Sequence, residues 1–310
     1  EIDMSFTAKR SSLAGVVALS LTGAFAPPFI DRAEADENLL GYTIGAETTP
    51  KGGNELYLWN TIHSGKRQGS YTADYFRLEY ERGLTDTLSG SIYLNGYRHK
   101  YSGSPVPGEI DGSLSQTKFS GFSVELKKNI LSPYKDDLGV ALYGELTYDT
   151  VDSITGAAIR GWELETKVIF QKPYLDGQFQ WLTNIEFEAE TAKDNESGAV
   201  ESAIAPRLRS GISYRFIPNW YIGAEGWVDM EMLNAAADPA EPGSGGWEFD
   251  HWDFFAGPSI HYGGKRWWAT LTWAHQFAGS SEESGAQNRT DLHLADHERN
   301  ELRLKVGYNF

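Results

Sequence analysis

Over its last ten residues the chain alternates without interruption: Leu302, Leu304, Val306, Tyr308 and Phe310 fall on one side, and Glu301, Arg303, Lys305 and Asn309 on the other. A period of two is that of a β-strand, here with one apolar and one charged face. The same alternation, bounded by turn residues, predicts twelve strands, over about 54–63, 70–82, 87–100, 116–130, 138–151, 161–172, 177–191, 204–216, 219–232, 249–262, 265–278 and 298–310.

The connections alternate in length. Tight ones fall at 83–86 (GLTD), 132–137 (SPYKDD), 173–176 (PYLD), 217–219 (IPN) and 263–264 (GG), and longer polar ones at 101–115, 192–203, 233–248 and 279–297. An even set of antiparallel strands with short turns at one end and long loops at the other predicts an all-β, up-and-down, twelve-stranded transmembrane β-barrel, both termini on the short-turn side. A soluble propeller would show a blade repeat of about 40–50 residues, and the sequence has none.

Parity then assigns the faces. Phe76, Leu78 and Tyr80; Phe122, Val124 and Leu126; Leu138, Val140, Leu142 and Leu146; and Phe179, Trp181, Ile185 and Phe187 are expected to point outward. The opposite faces carry the charges. Enclosing them in a dry core would cost several kcal/mol per ion, so the pattern favours a hydrated lumen. Tyr134, Tyr174, Trp220, Tyr262 and Trp267 cluster where short turns meet strands, as an interfacial girdle requires.

Composition narrows the picture further. A hydrophobic content of 40% suits a core or a lipid belt, but no run approaches the roughly 20 apolar residues of a membrane-spanning helix. The stretch Leu13–Leu21, behind Lys9 and Arg10 and ahead of Ala33-Glu34-Ala35, predicts a cleaved secretory signal over 1–35, with a cut after Ala26 as the alternative. Residues 36–53, which contain the turn Pro50-Lys51-Gly52-Gly53, form either a periplasmic lead-in or a short plug in the lumen; the lead-in is the preferred expectation, and 54–310 is the barrel. A formal charge of −16 argues against nucleic acid as a partner, since phosphate binding needs a basic footprint. Without cysteine there is neither a disulfide framework nor thiol chemistry.

The C-terminal stretch, with Leu302, Leu304, Val306, Tyr308 and a terminal Phe310, resembles the ending of outer-membrane barrel proteins, which implies that the barrel-assembly machinery reads it as an assembly signal. The segments GAETTPKGGNELYLW (Gly45 to Trp59) and GPSIHYGGKRWWATLTW (Gly257 to Trp273) resemble an uncharacterised, porin-like family of Gram-negative outer-membrane proteins. The resemblance implies a barrel in outer-membrane lipid and transfers neither a catalytic residue nor a cofactor.

Candidate chemistry is therefore sought in the lumen. Arg77, Glu79, Glu125, Lys127, Glu165, Glu186, Glu188, Arg207, Arg209, Glu225, Arg303 and Lys305 are expected to line a path for small polar solutes and to filter them electrostatically. The acidic row of strand seven should face Arg207 and Arg209 of strand eight, since opposite charges on paired strands attract. That row could set up a transverse field or a salt-bridged closure. An acidic excess favours cations or polar neutral solutes. In DLHLADHE (291–298), His293 and His297 would share one face of a helical turn near Asp296, a candidate divalent-cation site at the outer rim. Outer-membrane phospholipases carry a His-x-Ser-Asn-Gly motif that is missing here; His63-Ser64-Gly65 and HQFAGSS (275–281) come nearest, so no enzyme is expected. A closed barrel acting through its outer loops is the alternative function.

Overall fold

A computed structural model describes residues 38–235, 246–281 and 292–310. Among them twelve strands pair antiparallel in sequence order: β1 (Asn54–Ser64), β2 (Ser70–Thr85), β3 (Leu88–Ser102), β4 (Ser113–Leu131), β5 (Gly139–Val151), β6 (Ala158–Tyr174), β7 (Phe179–Asp194), β8 (Val200–Ile217), β9 (Trp220–Ala235), β10 (Gly246–Gly263), β11 (Trp267–Ser281) and β12 (Asn300–Asn309). β12 returns to β1, with Glu55 opposite Asn309 and Ser64 opposite Asn300, and closes the barrel. Closure leaves no unpaired strand edge, the condition for a β-structure in lipid. Each expected strand is present. β4, β6, β7, β8 and β10 run about three residues further than expected at the long-loop end, where polar residues keep the alternation going. The expected signal segment lies outside the described residues.

The outward face carries an exposed aliphatic side chain on every strand, among them Leu58, Leu78, Leu94, Val124, Leu142, Leu164, Ile185, Leu208, Ile222, Ile260, Leu271 and Leu304. A belt of this kind far exceeds the apolar patches of a few hundred Å² that soluble monomers tolerate, whereas acyl chains satisfy it without cost. Tyr134, Tyr174, Trp220 and Trp267 stand exposed at the short-turn rim, and the Trp220 and Tyr262 rings lie 5.1 Å apart.

Residues 38–47 do not lead in from outside. Leu39, Leu40, Thr43 and Ala46 are buried, and the segment's backbone is held by strands on several sides of the wall. Ile44 N–H donates to Asn184 of β7 (2.9 Å), Ala46 N–H to Gln171 of β6 (2.7 Å), and the Thr270 hydroxyl of β11 to the Asn38 carbonyl (2.5 Å). The preference for a lead-in thus gives way to the inserted segment. Its apolar residues find inside the lumen what neither water nor a bare strand end would offer. Two inward glycines make room for it: a Cβ at Gly211 would come within 2.4 Å of Leu40 Cδ1, and one at Gly223 within 2.6 Å of Leu40 Cδ2.

Candidate functional site: the lumen and its mouth

A cavity of about 450 Å³ runs from the long-loop end to the middle of the barrel. Period-two alternation aims its wall, so the charges singled out from parity meet there: Arg77, Glu79, Glu125, Lys127, Glu165, Glu188, Arg207, Arg209, Arg303 and Lys305 all line it. Fifteen carboxylates against seven Lys and Arg side chains form its wall, an excess that decides the sign of the interior potential.

Buried charges persist only when paired and hydrogen-bonded. On β7 and β8 the expected ladder forms. Arg207 pairs with Glu188 and lies 3.4 Å from Asp229 of β9; Arg209 pairs with Glu186 (2.9 Å); Lys167 sits 2.6 Å from Glu165 and 3.4 Å from Glu186. Across the lumen Arg77 pairs with Glu145 and lies over the Tyr93 ring (3.9 Å), Arg303 over Tyr42 (3.7 Å) and Lys305 over Trp59 (3.9 Å). Aromatic faces there supply part of the compensation that carboxylates supply on β7. Glu163 and Glu190 oppose each other across β6 and β7 near the long-loop end, next to the Glu165–Glu188 pair. Toward the short turns the Tyr57 hydroxyl lies 2.8 Å from the Glu55 carboxylate and 2.5 Å from that of Glu81, and the Trp268 indole donates to Glu55.

Two expected lining residues take other roles. Glu186 is buried beneath Lys167 and Arg209, which cover it from the cavity. Glu225 is taken up by the inserted segment: it accepts the backbone N–H groups of Gly41 (2.7 Å), Tyr42 (3.0 Å) and Thr43 (2.8 Å) and the hydroxyls of Ser259 (3.1 Å) and Thr272 (3.0 Å). The Tyr42 hydroxyl donates to Glu301 (2.6 Å). Parity identified Glu225 as inward but could not reveal that a remote stretch of chain would occupy its oxygens.

At the long-loop mouth, residues 292–299 fold back against the wall in a bend, not in the helical turn expected there. Lys66 is buried and donates to the carbonyls of Ala295 (2.7 Å), Asp296 (2.9 Å) and His297 (3.0 Å), with Glu298 3.0 Å away. His293 and Asp296 meet as expected, Nε2 to Oδ2 at 2.7 Å. His297 instead turns to β10, where its Nε2 lies 2.9 Å from Asp253 and 3.1 Å from His251 Nε2. Burial disfavours charge on His297, but Asp253 outweighs it and lifts the imidazole to about 10. Burial likewise opposes ionisation of Asp296, and His293 overrides it, holding that carboxyl well below the usual carboxylate range. Sequence reasoning missed His251 and its neighbour Asp250. A register shift between Phe249 and His251 leaves Asp250 unpaired, and this bulge lets both face inward. Among the described residues His63 turns to Glu298 (3.1 Å) and His275 meets Asn300 (2.9 Å), and neither is placed against a serine hydroxyl.

The profile of a family of unknown function (DUF6662) matches residues 32–310. No protein of curated function matches the sequence. Among solved structures, the COG4313 outer membrane channel from Pseudomonas putida F1 superposes with a TM-score of 0.57 at 12% identity, covering 86% of this chain and 98% of that one. LpxR from Salmonella typhimurium gives 0.44 at 10% identity (82% and 99%), and OmpT of Vibrio cholerae 0.38 at 9% (83% and 96%). The first of these shares the barrel fold.

Proposed function

The chain belongs to DUF6662, a family of unknown function, and we propose from its lumen that it acts as a narrow outer-membrane channel for small polar or cationic solutes, its short-turn end facing the periplasm and its inserted segment 38–47 serving as the gate. The observation that carries this reading is the charge-lined cavity inside a lipid-compatible belt. A solvated interior with fifteen carboxylates concentrates cations at the long-loop mouth and leaves few sites for anions. Filtering is electrostatic and no bond is made or broken. The exposed apolar belt supports a place in outer-membrane lipid, and the barrel-assembly machinery is the partner its C-terminal strand would engage.

The segment's hydrogen bonds argue that the resting state is shut, which also favours the second reading, a closed barrel acting through its outer loops. Single-channel recording of the refolded protein in a planar bilayer under a salt gradient separates the two. We expect rare cation-favouring openings from the full chain and frequent ones after deletion of residues 38–47, with a weaker cation preference for Glu188→Gln. Silence from both intact and deleted barrels, each shown folded by a heat-dependent shift in SDS gels, refutes the channel.

A further inference from the structure

The mouth holds a cluster that the channel reading does not use. His251 Nδ1 lies 2.6 Å from Asp250 Oδ2, where a neutral imidazole would carry its proton, and its Nε2 points at His297 Nε2, 3.1 Å away. Asp253 Oδ2 closes the triangle, 2.9 Å from His297 Nε2. Asp253 is fully buried, yet beyond the His297 ion pair neither of its oxygens finds a hydrogen-bond donor among the described residues. Its cross-strand neighbour is Asp229, another inward carboxylate, so the wall sets two like charges side by side. One imidazole proton cannot serve two lone-pair acceptors. A cation bound by all three would.

We propose that His251 Nε2, His297 Nε2 and the Asp253 carboxylate bind one divalent transition-metal ion, of which Zn²⁺ is the natural probe, with open coordination positions toward the cavity. Imidazole and carboxylate donors suit first-row ions over Ca²⁺ or Mg²⁺. Asp250 completes the arrangement as the outer carboxylate that fixes the tautomer and orientation of His251, a partner that metal-bound histidines regularly have. The site would join β10 to the segment 292–299 and so tie the last long connection to the wall. His293 and Asp296 lie beside it, His293 stacked on His251 with centroids 4.0 Å apart, and are second-rank candidates. The inference is independent of whether the barrel conducts.

The test is titration of the refolded, chelator-treated full chain with Zn²⁺ and with Co²⁺, read by calorimetry and by visible absorption. One ion per chain is expected. Affinity should fall at least ~100-fold in Asp253→Asn and His297→Gln, and by roughly 10–100-fold in Asp250→Asn. Equal binding by Asp253→Asn, or none by the native chain, overturns the proposal. X-ray absorption of the Zn²⁺-loaded native protein decides without any variant: two imidazole nitrogens at about 2.0–2.1 Å are expected, and a spectrum without imidazole scattering excludes the site.

Discussion

Replacing Glu225 by alanine should release the inserted segment while leaving the barrel standing. The carboxylate accepts three consecutive backbone N–H groups, at 2.7, 3.0 and 2.8 Å. A hydrogen bond to a charged group is worth about 1.5–3 kcal/mol. The low end applies to each, because a freed segment regains bonds to water. Three such bonds make about 4.5 kcal/mol, on the order of a thousand-fold or slightly more in the equilibrium between docked and free segment. Global stability should barely change, since Glu225 makes none of the backbone ladder that holds β9 to its neighbours. Hydrogen exchange followed by mass spectrometry reads the effect directly, with peptides spanning 38–49 compared against the strands as an internal reference. Exchange in that peptide should accelerate by two to three orders of magnitude in Glu225→Ala, and less in Glu225→Gln, which keeps one accepting oxygen. If the peptide exchanges at the native rate in a Glu225→Ala barrel that still shows heat-dependent gel mobility, the carboxylate does not hold the segment and the reasoning fails.

Gly211→Val should act on the same equilibrium from the other side, because any Cβ there meets Leu40 at 2.4 Å and the Glu225 Cβ at 2.8 Å; faster exchange in 38–49, with a smaller change where β8 meets β9, is the expected result. Lys66→Met removes the ammonium that holds three carbonyls of the 295–297 stretch, and stranding such buried partners costs about 3–5 kcal/mol, so peptides over 292–299 should lose protection while β12 keeps it. Deleting Phe310, whose N–H donates to the Asn54 carbonyl across the closing seam (3.0 Å), should lower the amount of heat-modifiable barrel recovered from outer membranes; unchanged recovery would separate that residue from assembly.

The strands were legible because a period of two survives in any sequence that faces two solvents at once. Leu302, Leu304 and Val306 announce a strand whatever lies beside it, and the alternation of GLTD-like turns with long polar stretches announces the closed meander. The ladder of Glu186, Glu188, Arg207 and Arg209 was legible for the same reason, since the alternation sends both rows inward on neighbouring strands and opposite charges attract. What stayed hidden depends on residues distant in sequence. The stretch Asn38-Leu39-Leu40-Gly41-Tyr42 reads as an undistinguished lead-in until its partner glycines at 211 and 223 are known to share one patch of wall. Asp250 was hidden because a single-residue bulge adds it to the inward set, and parity counting assumes that no strand slips; His251 has the inward parity of Asp253, but its partner His297 lies 46 residues away in sequence. His297 was placed by a helical rule, whereas Lys66 holds the segment in a bend.

The inserted segment has a consequence for the order of events in folding. It precedes every described strand, yet it is secured by Gln171, Asn184, Glu225 and Thr270 and, on β12, by Glu301 and by Arg303, which donates to the Gly41 carbonyl. The first described residues therefore wait for the last ones. A chain missing β12 would leave Tyr42 without its acceptor and the Gly41 carbonyl without its donor, and its lumen would stand without a filled centre. The full set of bonds to residues 38–47 is therefore complete only in a barrel whose final strand is paired with the first.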